Sequence, residues 1–383
     1  MLPIANGTGV TPVTLPNPGT NTIAERTSAI YHLNGTAYYP VEERPCECLD
    51  RYIRGLDTIE SRLNKAWDRA QQQATSEQEK RLVDLCHIYD LEPPPTLSVI
   101  PQEHLEGKTT ICGYNVGFCS FQGSREYMED ELLTTSIHIT VQDKEIEIPL
   151  FGVFDGHGGR TVARYLKDNL PRILTKAIHT VCRSGLTQHN IWNALKIIFV
   201  QANEEYKKQS TPKDYSGSTA IISIVVDGKL WTANLGDSRA ILNNGWQLST
   251  DAKPSDPNFA KGIKKRGGTL VETSKGISIK GGVDRNRKLA PARAINNEFP
   301  GVCTRSKVTC CAIPKNAVLF LGSDGIFEIA STKEVVKYMK THFATSMEDL
   351  AKALVHTCYN KMVETPQTRV DNLTGIFVRL YQA

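Results

Sequence analysis

The chain has little of what would place it in a specialised class of protein. Its 45 lysines and arginines nearly balance its 41 aspartates and glutamates, leaving a net charge of +4. This even charge does not indicate a surface for nucleic acid or an anionic membrane. No stretch approaches the roughly 18 apolar residues of a membrane helix, and the N-terminus lacks the basic and apolar segments of a secretory signal. We therefore expect a cytoplasmic protein, with the nucleus as the other option, and no nucleic-acid or membrane partner.

The cysteines also lack a pattern. The ten are scattered along the chain, without the dense spacing of a disulfide framework, which favours a reducing, intracellular setting. Cys46, Cys48, Cys86 and His87 could gather round a zinc ion, but their spacing matches no zinc template. Buried, unreactive thiols are the more common use of cysteine.

Composition divides the chain of 383 residues into three parts. Residues 1–45 are rich in Pro, Thr, Asn and Gly, lack periodicity, and are expected to form a flexible arm. Residues 46–110 contain two helical stripes, over 49–70 and 76–89, followed by a proline-rich linker. This helical extension could pack on the domain that follows, or residues 46–92 could dock a regulatory protein.

Residues 111–383 mix strand and helix patterns. Asp227-Gly228 and Asn243-Asn244-Gly245 are typical of the tight turns that join antiparallel strands. Ser331 with Glu334, and Thr345 with Glu348, have the spacing of helix capping boxes. Helices between blocks of hairpin strands favour an α+β fold in which helices cover antiparallel sheets. The predicted strands are 114–121, 132–141, 146–154, 219–226, 230–234, 240–242, 308–313, 317–321 and 372–380, and the predicted helices are 160–174, 190–207, 332–342 and 347–363.

Acidic residues recur at or beside the ends of these strands. The segment FGVFDGHGGR, residues 151–160, ends an apolar run in Asp155 and then three glycines and a histidine. Asp155 and the carbonyl of Gly156 are hard oxygen ligands for a small divalent cation. Similar clusters occur at Glu129-Asp130, at Asp324-Gly325 and at Asp371-Asn372. Several carboxylates in one place would repel each other unless metal ions held them, so we predict a binuclear metal centre.

In chain order, eight segments resemble the motifs of the type 2C family of metal-dependent serine/threonine protein phosphatases. They are QGSREYMED, FGVFDGHGG, SGSTAIISIV, TANLGDSRAIL, LSTDAKP, KLAPARA, FLGSDGIFE and DNLTGIFV. Eight motifs in order are a specific signal, and the similarity spans about 113–380. The resemblance implies a four-layer α-β-β-α sandwich of two antiparallel sheets flanked by helices, with a flap at about 251–300.

The resemblance also implies a role for each motif residue. Asp155 would bridge two metal ions, Mg2+ or Mn2+, and Gly156 would offer its carbonyl. The remaining assignments are Asp324 and Asp371 as further ligands, Glu129 and Asp130 as ligands acting through water, Asp237 at a third and looser metal, Arg125 as the phosphate-binding residue, and His157 as the general acid.

These assignments agree with the chemistry of a phosphate ester. An anionic ester repels hydroxide, so catalysis must neutralise charge and supply a nucleophile at neutral pH; two hard ions about 4 Å apart do both. The implied activity is hydrolysis of phosphoserine and phosphothreonine in proteins, by in-line attack of a water that bridges two ions. No phosphoenzyme is needed, since Cys119 before Arg125 does not form a cysteine-phosphatase loop.

Three positions depart from the family pattern. Glu328 stands where an aspartate for a third metal is common, Ala252 where a histidine is typical, and Asn296-Asn297 where Gly-Asp is usual. The alternative function is therefore a weakly active or inactive scaffold with the phosphatase fold, which would bind partners through its N-terminal helices and flap.

Overall fold

The computed structural model describes residues 31–33, 36–38 and 104–381, except for 183–184, 212–213, 274–275, 282–286, 297–298 and 364–369. Most of the predicted arm, most of the helical extension, and the cysteines Cys46, Cys48 and Cys86 lie outside the described residues, so those expectations stay predictions. In the part that is described, no helix is long and apolar enough to span a membrane.

The strands, in chain order, are β1 Tyr31–Leu33, β2 Thr36–Tyr38, β3 His104–Ile111, β4 Tyr114–Phe121, β5 Glu131–Val141, β6 Lys144–Phe154, β7 Gly156–His157, β8 Gly217–Ser218, β9 Ala220–Val226, β10 Lys229–Leu235, β11 Arg239–Leu242, β12 Thr269–Thr273, β13 Gly276–Lys280, β14 Lys288–Leu289, β15 Lys307–Ala312, β16 Val318–Gly322 and β17 Leu373–Arg379. The helices are α1 Thr161–Val181, α2 Gln188–Gln209, α3 Pro257–Lys265, α4 Asp324–Ile329, α5 Thr332–Thr341 and α6 Met347–Val363.

Two five-stranded sheets form the centre of the molecule. The first has the order β15-β10-β9-β6-β5 and the second β11-β16-β17-β4-β3. Their strand pairs are antiparallel, as predicted. Strands β9 and β16 are buried along their whole length, because both faces of each sheet are covered.

Three buried clusters define the layers. One lies between the sheets and includes Phe151 of β6 and Ile376 of β17. A second lies between the first sheet and helices α1 and α2, and a third between the second sheet and helices α4 to α6. This is the predicted four-layer α-β-β-α sandwich with two antiparallel sheets.

Local sequence explains most of the connections. At the β9–β10 turn, Asp227 and Gly228 have φ values of 50° and 66°, the left-handed conformation that a two-residue hairpin needs. The capping box predicted at Ser331 and Glu334 is present at the start of α5. The one predicted at Thr345 and Glu348 is wrong: Ser346 accepts a hydrogen bond from the Asp349 N–H at 3.1 Å and donates one to its carboxylate at 2.6 Å, and α6 begins one residue later.

Sequence analysis missed β3 and, although it placed a flap at about 251–300, the secondary structure within it. β3 pairs along its whole length with β4, but its alternating pattern is mostly exposed, which hides it from a search for apolar runs. The flap contains α3 and a three-stranded sheet of β12, β13 and β14, around a small buried cluster of its own that includes Ala252. The domain boundaries 1–45, 46–110 and 111–383 remain predictions.

Candidate metal centre

The predicted ligands lie at strand ends in both sheets. Asp155 directly follows β6, and Glu129 and Asp130 directly precede β5, in the first sheet. In the second sheet Asp324 begins α4 just after β16, and Asp371 comes two residues before β17. Asp237 lies in the turn between β10 and β11, which belong to different sheets. The centre therefore draws ligands from both halves of the sandwich.

The carboxylates are close enough to shift each other's protonation. Burial, followed by the charges of Asp324 and Asp130, raises the pKa of Asp155 well above its ordinary value. Burial raises the pKa of Asp130 to about 7, with smaller contributions from Asp371 and Asp324.

Asp324 and Asp237 behave in the same way. The pKa of Asp324 rises to about 6, chiefly by burial and then by the charge of Asp371 and of Glu328. Burial, and next the charge of Asp324, raise the pKa of Asp237. Lys253 opposes the shift at both aspartates. If all of its carboxylates were ionised, the group would therefore carry more negative charge than the protein around it compensates.

Two oxygens in this group have no protein partner. Asp130 Oδ2 and Asp237 Oδ2 are buried, and neither has a hydrogen bond within the described residues. Buried polar atoms are normally hydrogen-bonded, so an orphaned carboxylate oxygen marks a place where another group binds. Carboxylate and carbonyl oxygens are the donors that Mg2+ and Mn2+ prefer, so the residues fit such ions.

Arg125 and Glu129 lie beside these aspartates. Arg125 Nη2 donates to Asp371 Oδ2 at 2.5 Å, and the arginine side chain is 36% exposed. Burial alone would lower the pKa of Arg125, but the charge of Asp371 and a hydrogen bond to it raise it overall. Glu129 Oε1 accepts from the Gly159 N–H at 2.6 Å, although burial still raises the Glu129 pKa. A partly exposed guanidinium thus lies beside the acidic group and contacts one of its carboxylates.

Gly156 and His157 form the short strand β7, which pairs with β8 so that His157 lies opposite Gly217. A Cβ on Gly156 would come within 2.3 Å of the Glu129 carbonyl oxygen, so only glycine allows the two segments to approach this closely. The carbonyl of Asp155 accepts from the Thr219 N–H at 2.9 Å. The structure therefore holds the Asp155–His157 segment rigidly between β5 and β8.

Asn372 and Lys253 were missed as contributors to the site. The Asn372 side chain accepts from the Glu129 N–H at 2.8 Å and donates to the carbonyls of Gln122 and Tyr127 at 2.6 and 3.3 Å. It ties the loop that carries Arg125 to the start of β17. An Asn after an Asp looks like an ordinary strand-entry residue, and Lys253 comes from the flap, so neither position stood out.

The residues that differ from the family pattern lie in different surroundings. Ala252 is buried in the flap cluster, where its small side chain fits. Asn296 has a φ of 48°, which asparagine tolerates, and its Nδ2 donates to the Ser216 carbonyl at 2.9 Å. Glu328 is exposed and lies near enough to Asp324 to raise its pKa.

The acidic group is wider than the ligand shell of one ion. In the part of the chain that the structure describes, the one set of three or more His, Cys, Asp or Glu ligand atoms within 4.8 Å of one another is elsewhere, at His104, Glu106, Cys119 and His356. A wider arrangement is what a pair of ions would require.

Comparison with known proteins identifies the family. The family model for protein phosphatase 2C matches residues 114–365. "Probable protein phosphatase 2C 3" of Paramecium tetraurelia is 29% identical over 306 residues, 72% of this chain and 94% of the relative. "Probable protein phosphatase 2C member 13, mitochondrial" of Oryza sativa subsp. japonica is 31% identical over 278 residues, 70% of this chain and 68% of the relative.

Solved structures agree in fold. A serine-threonine phosphatase 2C from Toxoplasma gondii aligns with a TM-score of 0.58 at 19% identity, over 73% of this chain and 99% of that one. A C. elegans sex determining protein aligns with a TM-score of 0.57 at 22% identity, over 70% of this chain and 65% of that one. The family match and the phosphatase relatives identify a metal-dependent phosphatase of the serine/threonine class. The chain belongs to the protein phosphatase 2C family.

Proposed function

We propose that this chain hydrolyses phosphoserine and phosphothreonine in proteins with two divalent cations, Mg2+ or Mn2+, and a third at a weaker site. The observation that carries the proposal is a set of buried or half-buried, mutually repelling carboxylates from both sheets, two of which have a buried oxygen without a partner among the described residues. When bound, the ions would supply an activated water for in-line attack on phosphorus and would neutralise charge on the phosphoryl oxygens.

The acidic residues divide by position. Asp155, at the end of β6, would serve both ions, with the Gly156 carbonyl beside it. Asp324 and Asp371 approach from the second sheet, while Glu129 and Asp130 approach from the side. Asp237 would hold the third ion, for which Glu328 is the nearest substitute for the usual aspartate.

Arg125 would bind the phosphate. Its guanidinium uses Nη2 on Asp371, which fixes its direction, and about a third of the side chain faces solvent. A guanidinium can donate two parallel hydrogen bonds to a phosphate, which a lysine cannot. Arg125 thus orients the phosphoryl group over the carboxylates.

His157 would protonate the departing serine or threonine oxygen. It follows Gly156 on β7, and the pairing of β7 with β8 places its backbone opposite Gly217. Imidazole, with an ordinary pKa of about 6.5, is suited to give up a proton near neutral pH.

The test uses purified full-length protein with Mn2+ and a phosphothreonine peptide. We expect phosphate release that EDTA stops, and its loss in Asp155→Asn and Asp324→Asn. The matched control is Asp227→Asn, which changes a carboxylate in the β9–β10 turn, where asparagine accepts the same backbone conformation. A folded protein that stays inactive on a broad phosphopeptide panel, but binds partners, would support the scaffold alternative instead.

The proposal also covers the substrate, the cellular location and a regulatory partner. A parallel assay with small phosphorylated metabolites separates a protein substrate from a small one. We also propose a cytoplasmic location and, through residues 46–92, a regulatory protein partner; deleting residues 1–92 and measuring activity and stability tests the latter.

A further inference from the structure

Four potential metal ligands meet away from the acidic centre, under helix α6. Strands β3 and β4 pair so that Glu106 lies directly opposite Cys119. His104 is two residues before Glu106 and therefore points to the same face of the sheet. Helix α6 packs on this face and brings His356 to it. The strand register and the packing of α6 together place all four residues on this face.

The side-chain distances agree with the register. His104 Nε2 lies 3.1 Å from Glu106 Oε2 and 3.8 Å from Cys119 Sγ. One ligand atom from each of His104, Glu106, Cys119 and His356 lies within 4.8 Å of the other three. The His104 and His356 rings are 5.8 Å apart between centroids and nearly perpendicular, so they do not stack.

The surroundings leave these groups available. Cys119 is fully buried, whereas the His104 and Glu106 side chains are about one-third exposed, at 33% and 34%, so an ion has a route in from solvent. His356 is exposed, but desolvation of part of its ring, and next the charge on His104, lower its pKa, which favours the neutral ring that binds metals. Lys352 lies 2.6 Å from Glu106 Oε1, and this contact leaves Oε2 facing the cluster.

We propose that His104, Glu106, Cys119 and His356 form a structural site for a single transition-metal ion of the zinc type. Two imidazoles, one thiolate and one carboxylate make a four-coordinate set of the kind that Zn2+ accepts and that Mg2+ does not favour. On binding, the Cys119 S–H bond breaks, its proton goes to solvent, and a zinc–sulfur bond forms without any change of oxidation state. The ion's two positive charges match one thiolate and one carboxylate.

Such an ion would clamp the edge of the second sheet. β3 is the outermost strand of that sheet, and it lies before residue 114, where the match to the family model begins. Two ligands come from β3, one from β4 and one from α6. The site would therefore fasten a strand outside the family match to the phosphatase domain.

The experiment titrates the full chain with Co2+ and then Zn2+, in excess Mg2+ so that the all-oxygen centre is filled. Co2+ bound to a thiolate in tetrahedral geometry gives a sulfur-to-cobalt charge-transfer band and intense visible bands, which an oxygen site lacks. We expect these bands in the wild type, their displacement by one equivalent of Zn2+, and a rise in melting temperature with Zn2+.

Variants assign the ligands. We expect Cys119→Ser to lose the charge-transfer band, and His104→Gln and His356→Gln to weaken Zn2+ binding by at least the roughly 10–100-fold cost of losing an outer-shell partner. His138→Gln, whose side chain is 76% exposed on β5, is the matched control and should bind as the wild type does. If Cys119→Ser folds poorly, the loss of Zn2+ affinity in His104→Gln and His356→Gln still tests the proposal.

Two results would overturn the proposal. The first is that the wild-type protein binds Co2+ but shows no sulfur-to-cobalt charge-transfer band. The second is a band that persists in Cys119→Ser, which would assign the metal to another cysteine, such as Cys46 or Cys48. Phosphatase activity does not enter either readout, so the outcome is independent of the proposed function.

Discussion

Asp130 connects burial to metal binding at a single side chain. Only 4% of the residue is exposed, and one carboxylate oxygen has no partner among the described residues. Its pKa rises from 3.8 to about 7, so between these values the folded, metal-free protein holds a proton that the unfolded chain releases. The folded state therefore loses stability as the pH rises through this range. A cation bound to the ionised Asp130 carboxylate would restore that stability.

Replacing Asp130 by Asn removes the charge and keeps the shape. In EDTA, we expect Asp130→Asn to melt at a higher temperature than the wild type above pH 7, with the difference narrowing toward pH 4. Calorimetry at about pH 5 and about pH 8 measures this. Saturating Mn2+ should reverse the order, because only the wild type keeps the ligand. A difference in melting temperature that is constant with pH would remove Asp130 from the acidic group.

Arg125 is expected to act on binding more than on turnover. A hydrogen bond to a charged group is worth about 1.5–3 kcal/mol, so Arg125→Ala should raise KM for a phosphopeptide roughly 10- to 100-fold. Arg172→Ala, which breaks an ion pair with Glu205 on the outer helices, is the control and should leave KM unchanged. An unaltered KM in Arg125→Ala would mean that the phosphate is held elsewhere.

Among the elements, helix α6 begins at a cap that the sequence alone misplaces by one residue. The motif Thr345-x-x-Glu348 fits a capping box, but Glu348 instead pairs with Lys352 at 3.2 Å and Lys108 at 3.3 Å. Two overlapping pairs, Thr345 with Glu348 and Ser346 with Asp349, satisfy the same rule, and tertiary contacts decide between them. Local pattern therefore predicts the helix 347–363 but not which residue caps it.

The two caps can be compared directly. Loss of an N-cap side chain costs about 1 kcal/mol, so we expect Ser346→Ala to lower the free energy of unfolding by about that amount. Thr345→Ala should change it by less than about 0.5 kcal/mol. Urea denaturation of the two variants checks this. Equal losses would show that both hydroxyls share the cap.

Prediction from sequence succeeded where burial is continuous. Strands such as β4 and β9 and helix α6 were placed within a residue or two, since long apolar patterns override local ambiguity. It failed for β3, for the flap strands β12 to β14 and for the short helix α4, which are brief or mostly exposed. Asp155, Asp324 and Asp371 stood out because acidic residues at strand ends are unusual, whereas Lys253 acts from a distant loop and left no local signal.

For the whole molecule, the acidic site depends on how the two sheets are joined. Asp155 extends from the first sheet, and Asp324 and Asp371 from the second. Ile376 is fully buried between the sheets, five positions along the strand segment from Asp371. Packing between the sheets therefore sets the distance between these acidic side chains.

A pair of core variants separates this effect from general stability. Ile376→Ala, between the sheets, and Ile178→Ala, under the outer helices, should each cost about 2–5 kcal/mol of unfolding free energy. Only Ile376→Ala should also raise the Mn2+ concentration needed for half-maximal activity. If both variants raise this Mn2+ concentration equally, the site responds to the general loss of stability and not to the spacing of the sheets.

The position of β17 has a consequence for synthesis of the chain. It lies between β4 and β16 in the second sheet, although it is the last strand in the described part of the chain. A nascent chain that has emerged from the ribosome only as far as α6 still lacks β17, the middle strand of that sheet, and also lacks Asp371. We therefore expect phosphatase activity only after this late segment has been translated. Incomplete chains that end before β17 should not dephosphorylate proteins.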